Sequence, residues 1–212
     1  MSCRGAALVG LVAVGCQRDY RVGLQEEVKV PVATPDTGAQ QEDAPDWADC
    51  GRGWRGAYFN HRSDHPDFGD ESPTEAPFAP DLVDWWDPSY QSFERYDASL
   101  DIGPGFWPVD DGLEGDPAYF AVRWTAWMYV EEALPATVYI TASTDLWLRI
   151  GDQVLAQVHS DGAVVSESTV LDLPPGQTPV EVSFAHRRGD SAVALRVAGE
   201  HVHLCYPDFT EG

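Results

Sequence analysis

The segment Tyr119 to Val130 constrains the fold class more tightly than any other part of this sequence. Phe120, Val122, Trp124, Ala126 and Met128 alternate with Ala121, Arg123, Thr125 and Trp127. A period of two is that of a strand with one buried face, whereas a helix would repeat its apolar positions every three to four residues. Thr137 to Ala142 continues the alternation, and Leu146, Leu148 and Ile150 alternate with Trp147 and Arg149. Val180, Val182 and Phe184 alternate with Glu181 and Ser183, and Val193, Leu195 and Val197 with Ala194 and Arg196. Turn signals separate these runs: Ala133-Leu134-Pro135, Gly151-Asp152, Asp161-Gly162, Pro174-Pro175-Gly176 and Arg188-Gly189-Asp190. Short strands at this spacing predict an all-β chain, folded as an antiparallel β-sandwich or barrel.

The strand pattern begins only at Cys50. Before it, Arg4 and the uncharged run Gly5 to Gly15 have the layout of an export signal, too short to span a bilayer, which needs about 20 residues. The run ends in Ala13-Val14-Gly15-Cys16, which resembles the bacterial lipobox, with Cys16 as the acylated first residue of the mature chain. An ordinary secretory signal with an incidental cysteine is the alternative. Gln17 after the cysteine implies, by the sorting habits of Gram-negative lipoproteins, a lipid anchor in the outer membrane of the cell envelope. Residues 16–49 hold Pro31, Pro35 and Pro45 among Thr, Gln, Asp, Glu and Gly, and are too poor in apolar surface to fold. They read as a tether of roughly 30 Å root-mean-square reach. The expected organisation is 1–15 signal peptide, 16–49 disordered tether, 50–206 sandwich and 207–212 tail.

With Cys3 removed in the signal and Cys16 acylated, Cys50 and Cys205 remain at the two ends of the patterned region. In an oxidising compartment they are expected to pair, the alternative being two free thiols. A bridge there closes a loop of roughly 155 residues, worth about 5 kcal/mol in the chain-entropy account.

The formal charge of −22, from 35 acidic against 13 basic residues, argues against a nucleic-acid partner, which calls for a basic stripe. It argues equally against a broad grip on anionic lipid, so membrane attachment is expected through the anchor alone. No Gly-x-Ser-x-Gly elbow, His-Glu-x-x-His or phosphate loop is present. The chain is therefore read as no enzyme, although a glycosidase-like carboxylate pair among its many acids stays open.

Five fragments in order resemble one family. Trp54 to Asn60 is similar to the opening G-x-Y-F-N strand of the protective-antigen-type sandwich, the PA-fourteen domain, and Tyr96 to Asp101 to its D-P-x-I-D segment. Phe120 to Thr125 resembles its F-x-V-R-W-T-G strand, Thr137 to Ile150 its following hairpin, and Val193 to Val197 its closing strand. The resemblance implies a PA-fourteen β-sandwich, here with an irregular Pro/Asp-rich insertion from Asn60 to Phe93, in a family often associated with carbohydrate. In its sugar-binding members two adjacent Asp residues hold a Ca²⁺ that sugar hydroxyls complete. The matching stretch here, Ala142 to Trp147, keeps one of the pair, Asp145. No metal and no cofactor is assigned.

Asp145, Trp147, Trp85 and Trp86 are the candidate ligand-binding residues. If Leu146 and Leu148 face the core, Trp147 is at least partly exposed beside Asp145, a flat apolar face next to an acceptor of the kind a sugar ring needs. The alternative places Trp147 under a loop. In Asp84-Trp85-Trp86-Asp87 at least one tryptophan is expected to plug the core, because neighbours in an extended chain point opposite ways. His61 and His65 with Asp64 and Asp67, and His201 with His203 on one strand face, are read as surface residues. Gly in a tight turn accounts for Arg188-Gly189-Asp190. The expected role is a non-catalytic binding module for a glycan. The alternatives are a structural or assembly lipoprotein docking an envelope protein and, further off, a small glycoside hydrolase.

Overall fold

The computed structural model describes residues 50–62, 64–65, 80–103, 106, 119–160, 162–187, 189 and 191–207. Cys16, the tether, Asp67, Arg188, Asp190 and the last five residues lie outside that set. In chain order the strands are β1 (Cys50–Arg52), β2 (Trp54–Asn60), β3 (Gln91–Asp97), β4 (Asp101–Ile102), β5 (Phe120–Val130) and β6 (Leu134–Ala142). They continue as β7 (Asp145–Ile150), β8 (Gln153–Val158), β9 (Val165–Leu173), β10 (Gly176–His186), β11 (Val193–Ala198) and β12 (Val202–Pro207). Two 3-10 turns, Pro80–Leu82 and Pro88–Tyr90, lie in the insertion between β2 and β3.

The strands form two antiparallel sheets. One runs β1-β12-β5-β10-β7-β8, with β2 also on β5 and β3 on β2; the other runs β4-β11-β6-β9. β5 is the spine of the larger sheet. β10 pairs with it over its whole length, while its other edge is divided between β2, opposite Phe120 to Thr125, and β12, opposite Trp127 to Val130. The long alternating run seen in the sequence is what serving three neighbours requires. Pro179 sits inside β10 although a central strand normally excludes proline. Its carbonyl accepts from Gly151 N at 2.8 Å, so its nitrogen points to the same side, where β7 has already ended.

The inner faces of the two sheets close on one core. Phe120, Val122, Trp124, Ala126, Met128 and Val130 meet Val182, Phe184, Leu146 and Leu148 from their own sheet. Val138, Ile140, Val193, Leu195, Leu171 and Leu173 come from the other. Each fully buried Leu or Phe contributes roughly 2 kcal/mol relative to exposure. The all-β sandwich expected from the alternation is what forms.

Three of the fragments that carry the family resemblance meet at one largely buried carboxylate. Asp97 Oδ2 accepts from Tyr58 OH at 2.5 Å and from Trp124 Nε1 at 2.8 Å, and Arg95 Nε donates to Oδ1 at 2.8 Å. A buried anion needs such donors to offset its desolvation. Burial, with the Asp97 hydrogen bond second, pushes the Tyr58 hydroxyl pKa far up and keeps it a donor. Gly56 makes room for the group: a Cβ there would stand 2.7 to 2.9 Å from Tyr58, Asp97 and Trp124.

One expected boundary is corrected. Leu134 and Pro135, read as part of a turn, begin β6 and pair with Leu173 and Asp172 of β9. β11 stops with Ala198 opposite Thr137, which leaves one edge of β6 open at Pro135, where a proline is tolerated.

Candidate functional site

The candidate residues gather at the end of the sandwich where β6 turns into β7. Ser143 and Thr144 make the turn, and both hydroxyls are committed to it. Ser143 N donates to Ala192 O at 3.0 Å, and Ala192 N returns a bond to Ser143 Oγ at 2.9 Å. Thr144 Oγ1 donates to Ala185 O at 2.6 Å. These contacts stitch the β6–β7 turn to β10 and to the loop that follows it. That loop meets the one between β8 and β9: Gly189, at φ +68°, lies so close to Gly162 that a Cβ would stand 2.9 Å from its carbonyl oxygen. Ser191 Oγ donates to the carbonyl of Phe106.

Asp145 opens β7 inside this knot and is 0% exposed. Arg187, the residue after β10, donates to Asp145 Oδ2 through Nε at 2.6 Å, and its Nη2 lies at the same distance. The His159 Nδ1–H donates to Oδ1 from the start of the β8–β9 loop. A carboxylate with both oxygens engaged and no solvent contact neither relays protons nor receives a sugar hydroxyl. It holds the loops together.

Trp147 is 1% exposed, which corrects the expectation of an open indole. The alternation was sound, since Trp147 does lie on the face opposite Leu146 and Leu148. That outer face is not solvated, because the insertion lies across it. Trp85, Trp86 and Trp147 pack with Phe59, Tyr119, Ala121 and Ala185 in a second core. Ring centroids are 5.8 Å apart for Trp85–Trp86, 6.2 Å for Trp85–Trp147 and 5.7 Å for Trp86–Trp147. Both insertion tryptophans are buried because the chain there is not extended: Asp87 N bonds Asp84 O at 2.9 Å, closing a turn that sends both indoles inward and both aspartates outward. Asp87 then caps the second 3-10 turn, its Oδ1 accepting from Ser89 N at 2.8 Å and Ser89 Oγ at 2.6 Å.

Charge fixes the insertion as well. Arg149 bonds Asp81 of the insertion and lies 3.5 Å from Glu181, while Arg123 lies 3.7 Å from Glu181 and covers the Trp86 ring at 5.3 Å. Arg187 covers the Trp85 ring at 5.2 Å, linking Asp145 to the insertion. His61 is buried rather than at the surface, a second correction. Its Nε2–H donates to the Trp85 carbonyl at 2.9 Å, and burial lowers its pKa to about 4. His65 stacks against it edge-on at 5.2 Å.

His201 and His203 do not share a strand face. His201 takes φ +66° in the turn before β12, yet both imidazoles reach Glu131, at 2.9 and 3.6 Å. No group of three or more metal-type side chains occurs among the described residues. The structure thus brings Asp145, Trp147, Trp85 and Trp86 together, but in the interior. Arg187 and His159 complete the knot, and the sequence alone does not single them out. The available signal was an arginine directly after an apolar strand in so acidic a chain.

Comparison with solved structures places the chain near several β-sandwiches. The PA14 domain of the MpAFP antifreeze protein superimposes with a TM-score of 0.58 at 13% identity, over 82% of this chain and 100% of that one. The epithelial adhesin 9 A domain of Candida glabrata, in complex with Galβ1-3GlcNAc, gives 0.52 at 8% identity, over 79% of this chain and 95% of that one. An anti-sigma factor domain-containing protein from Clostridium clariflavum gives 0.52 at 18% identity, over 76% of this chain and 48% of that one. No family model and no curated protein matches the sequence. At these identities the likeness is one of fold, and the fold is an antiparallel β-sandwich of the PA14 kind.

Proposed function

We propose that this chain is a lipid-anchored envelope protein whose sandwich is a non-catalytic binding module for carbohydrate. The observation that carries the reading is the convergence of three loops and the insertion on one end of the sandwich, fastened by buried polar groups. A solvated turn needs no such network, whereas a rigid loop platform is what ligand sites are built on. The adhesin domain of the same fold, in complex with Galβ1-3GlcNAc and with Galβ1-4GlcNAc, supports a saccharide as the ligand. Asp145, Trp147, Trp85 and Trp86 would act from beneath, and the exposed rim, with Asp84, Asp87 and part of His159, would meet the ligand.

A glycan array that includes both disaccharides tests this. Binding that Asp84→Ala weakens is expected; a folded chain that retains no glycan at millimolar concentration sinks the reading. Burial of all three tryptophans favours a second reading, a structural or assembly lipoprotein docking a protein of the envelope. Cross-linking to such a partner with a silent array would establish it.

Anchoring through Cys16 belongs to the proposal and rests on the Ala13-Val14-Gly15-Cys16 stretch. Cys16→Ala should abolish fatty-acid labelling and release the chain from membranes. Pairing of Cys50 with Cys205 belongs to it too. It is supported by burial of Cys205 and by the pairing of β1 with β12, which puts Cys50 and Cys205 on adjacent strands, two residues apart in register.

A further inference from the structure

The family resemblance implies a calcium ion at the start of β7, and the donor set there does not fit one. Ca²⁺ takes six to eight oxygens with carboxylates among them. The turn supplies a single carboxylate, with Oδ2 held by Arg187 and Oδ1 by His159. The neighbouring hydroxyls are spent as well: Ser143 Oγ accepts from Ala192 N, and Thr144 Oγ1 donates to Ala185 O. A divalent cation at Asp145 would have to displace a guanidinium already 2.6 Å from the carboxylate, and among the described residues two cations would then face one carboxylate there.

We propose that Arg187 is the resident cation of this end of the sandwich, organising the loops and the insertion in calcium's stead. The guanidinium side chain is 6% exposed and lies between Asp145 and the Trp85 ring. One face of the contact neutralises the carboxylate that begins β7. The other draws the insertion onto the outer face of the large sheet by cation–π attraction, which strengthens when the cation is desolvated. Two tasks that a bound ion would otherwise share, neutralising the turn and fixing the loop above it, fall to one side chain. Any ligand met at this end is then bound without calcium. The inference does not depend on that ligand being a glycan, because its test reads ion uptake and stability.

The test is thermal unfolding of the full chain in millimolar calcium and in EGTA, with terbium luminescence sensitised by the buried tryptophans. No shift in Tm and no terbium signal that depends on Asp145 are expected. A calcium site filled at a hundred times its Kd would raise Tm by roughly 5–10 °C. A rise of that size which Asp145→Asn abolishes overturns the proposal, whereas one that survives Asp145→Asn arises elsewhere on this acidic chain and leaves Arg187 in place. In a second arm, Arg187→Met should lower Tm by about 10 °C by stranding a buried carboxylate. It should also shift tryptophan emission to the red, and adding Asp145→Asn should recover much of both losses. Purely additive effects overturn the proposal. Should Arg187→Met fail to fold, the double variant and the calcium comparison still decide.

Discussion

Acidification from neutral pH should cost this protein about 3 kcal/mol at one side chain, His61. The imidazole is buried at the start of the insertion, and desolvation lowers its pKa from 6.5 to about 4. The hydrogen bond to the Trp85 carbonyl opposes that shift, and the nearby His65 adds to it. In the unfolded chain the same ring titrates near its ordinary value. Between about pH 4 and 6.5 the unfolded state therefore binds one more proton than the native state, and stability rises with pH across that window. His61 costs nothing above the window. Its penalty grows as pH falls and levels off below about 4. At about 1.4 kcal/mol per unit, the gap amounts to about 3 kcal/mol in full and about 2 kcal/mol at pH 5. Carboxylates titrate in the same range, so the informative quantity is the difference between the parent and His61→Gln, which keeps a donor for the Trp85 carbonyl but does not titrate. Urea unfolding at a series of pH values should show the parent losing about 2 kcal/mol more than the variant between pH 7.5 and 5. Parallel curves, or an imidazole NMR titration centred near 6.5 in the native state, would refute the reasoning.

Gly56→Ala should destabilise the fold by about 3 kcal/mol, because its Cβ would collide with the Tyr58 ring, Asp97 and Trp124 Nε1, and urea unfolding reads this directly. Glu167 lies on the core-facing side of the open edge strand β9, opposite Ile140, and burial raises its carboxyl pKa. An inward-pointing charge on an edge discourages pairing with a second chain. Glu167→Val should therefore shift a micromolar sample from monomer toward dimer in light scattering, with the parent unchanged. Peptide mapping of exported protein without reductant should recover Cys50 joined to Cys205, and reduction should lower Tm; two free thiols would contradict the pairing.

What was legible in the sequence followed from burial on one face. β5, β7, β10 and β11 each carry one face against the core, and their alternation shows in the residues Val180, Val182 and Phe184 as plainly as in the packing. The strands that the alternation does not reveal lie at sheet edges. β9 reads Val-Ser-Glu-Ser-Thr-Val-Leu-Asp-Leu and exposes Val170 at 64%, so its apolar positions do not keep to one face. β8 slips register against β7 at Leu148/Arg149, which breaks its period of two. β3 pairs only with β2 and stays largely polar. For the candidate site, identity was legible and exposure was not. Alternation states that Trp147 and Leu148 occupy opposite faces, but whether the second face meets water depends on a segment more than fifty residues upstream. Nothing local to Trp147 encodes that cover; Trp85 and Trp86 do, once the Asp84–Asp87 turn aims both at the sheet.

The distribution of arginines narrows the kind of ligand the remaining surface suits. Arg55 pairs with Glu94, Arg62 with Asp64, Arg95 with Asp97, Arg149 with Asp81, Arg123 with Glu181 and Arg187 with Asp145. Four of these six bonds join one element to another, so most of these cations are spent on holding the fold. In a chain of formal charge −22, Asp84 and Asp87 stand exposed at this rim. Exposed carboxylates there would disfavour sulfated or phosphorylated glycans and anionic headgroups, whereas a neutral saccharide under the proposal would meet Asp84 and Asp87 as hydrogen-bond acceptors. Carboxylates make strong acceptors for sugar hydroxyls, and they need no calcium for that role. The same acidity that argues against nucleic acid in the sequence therefore directs the glycan proposal, on the structure, toward uncharged sugars.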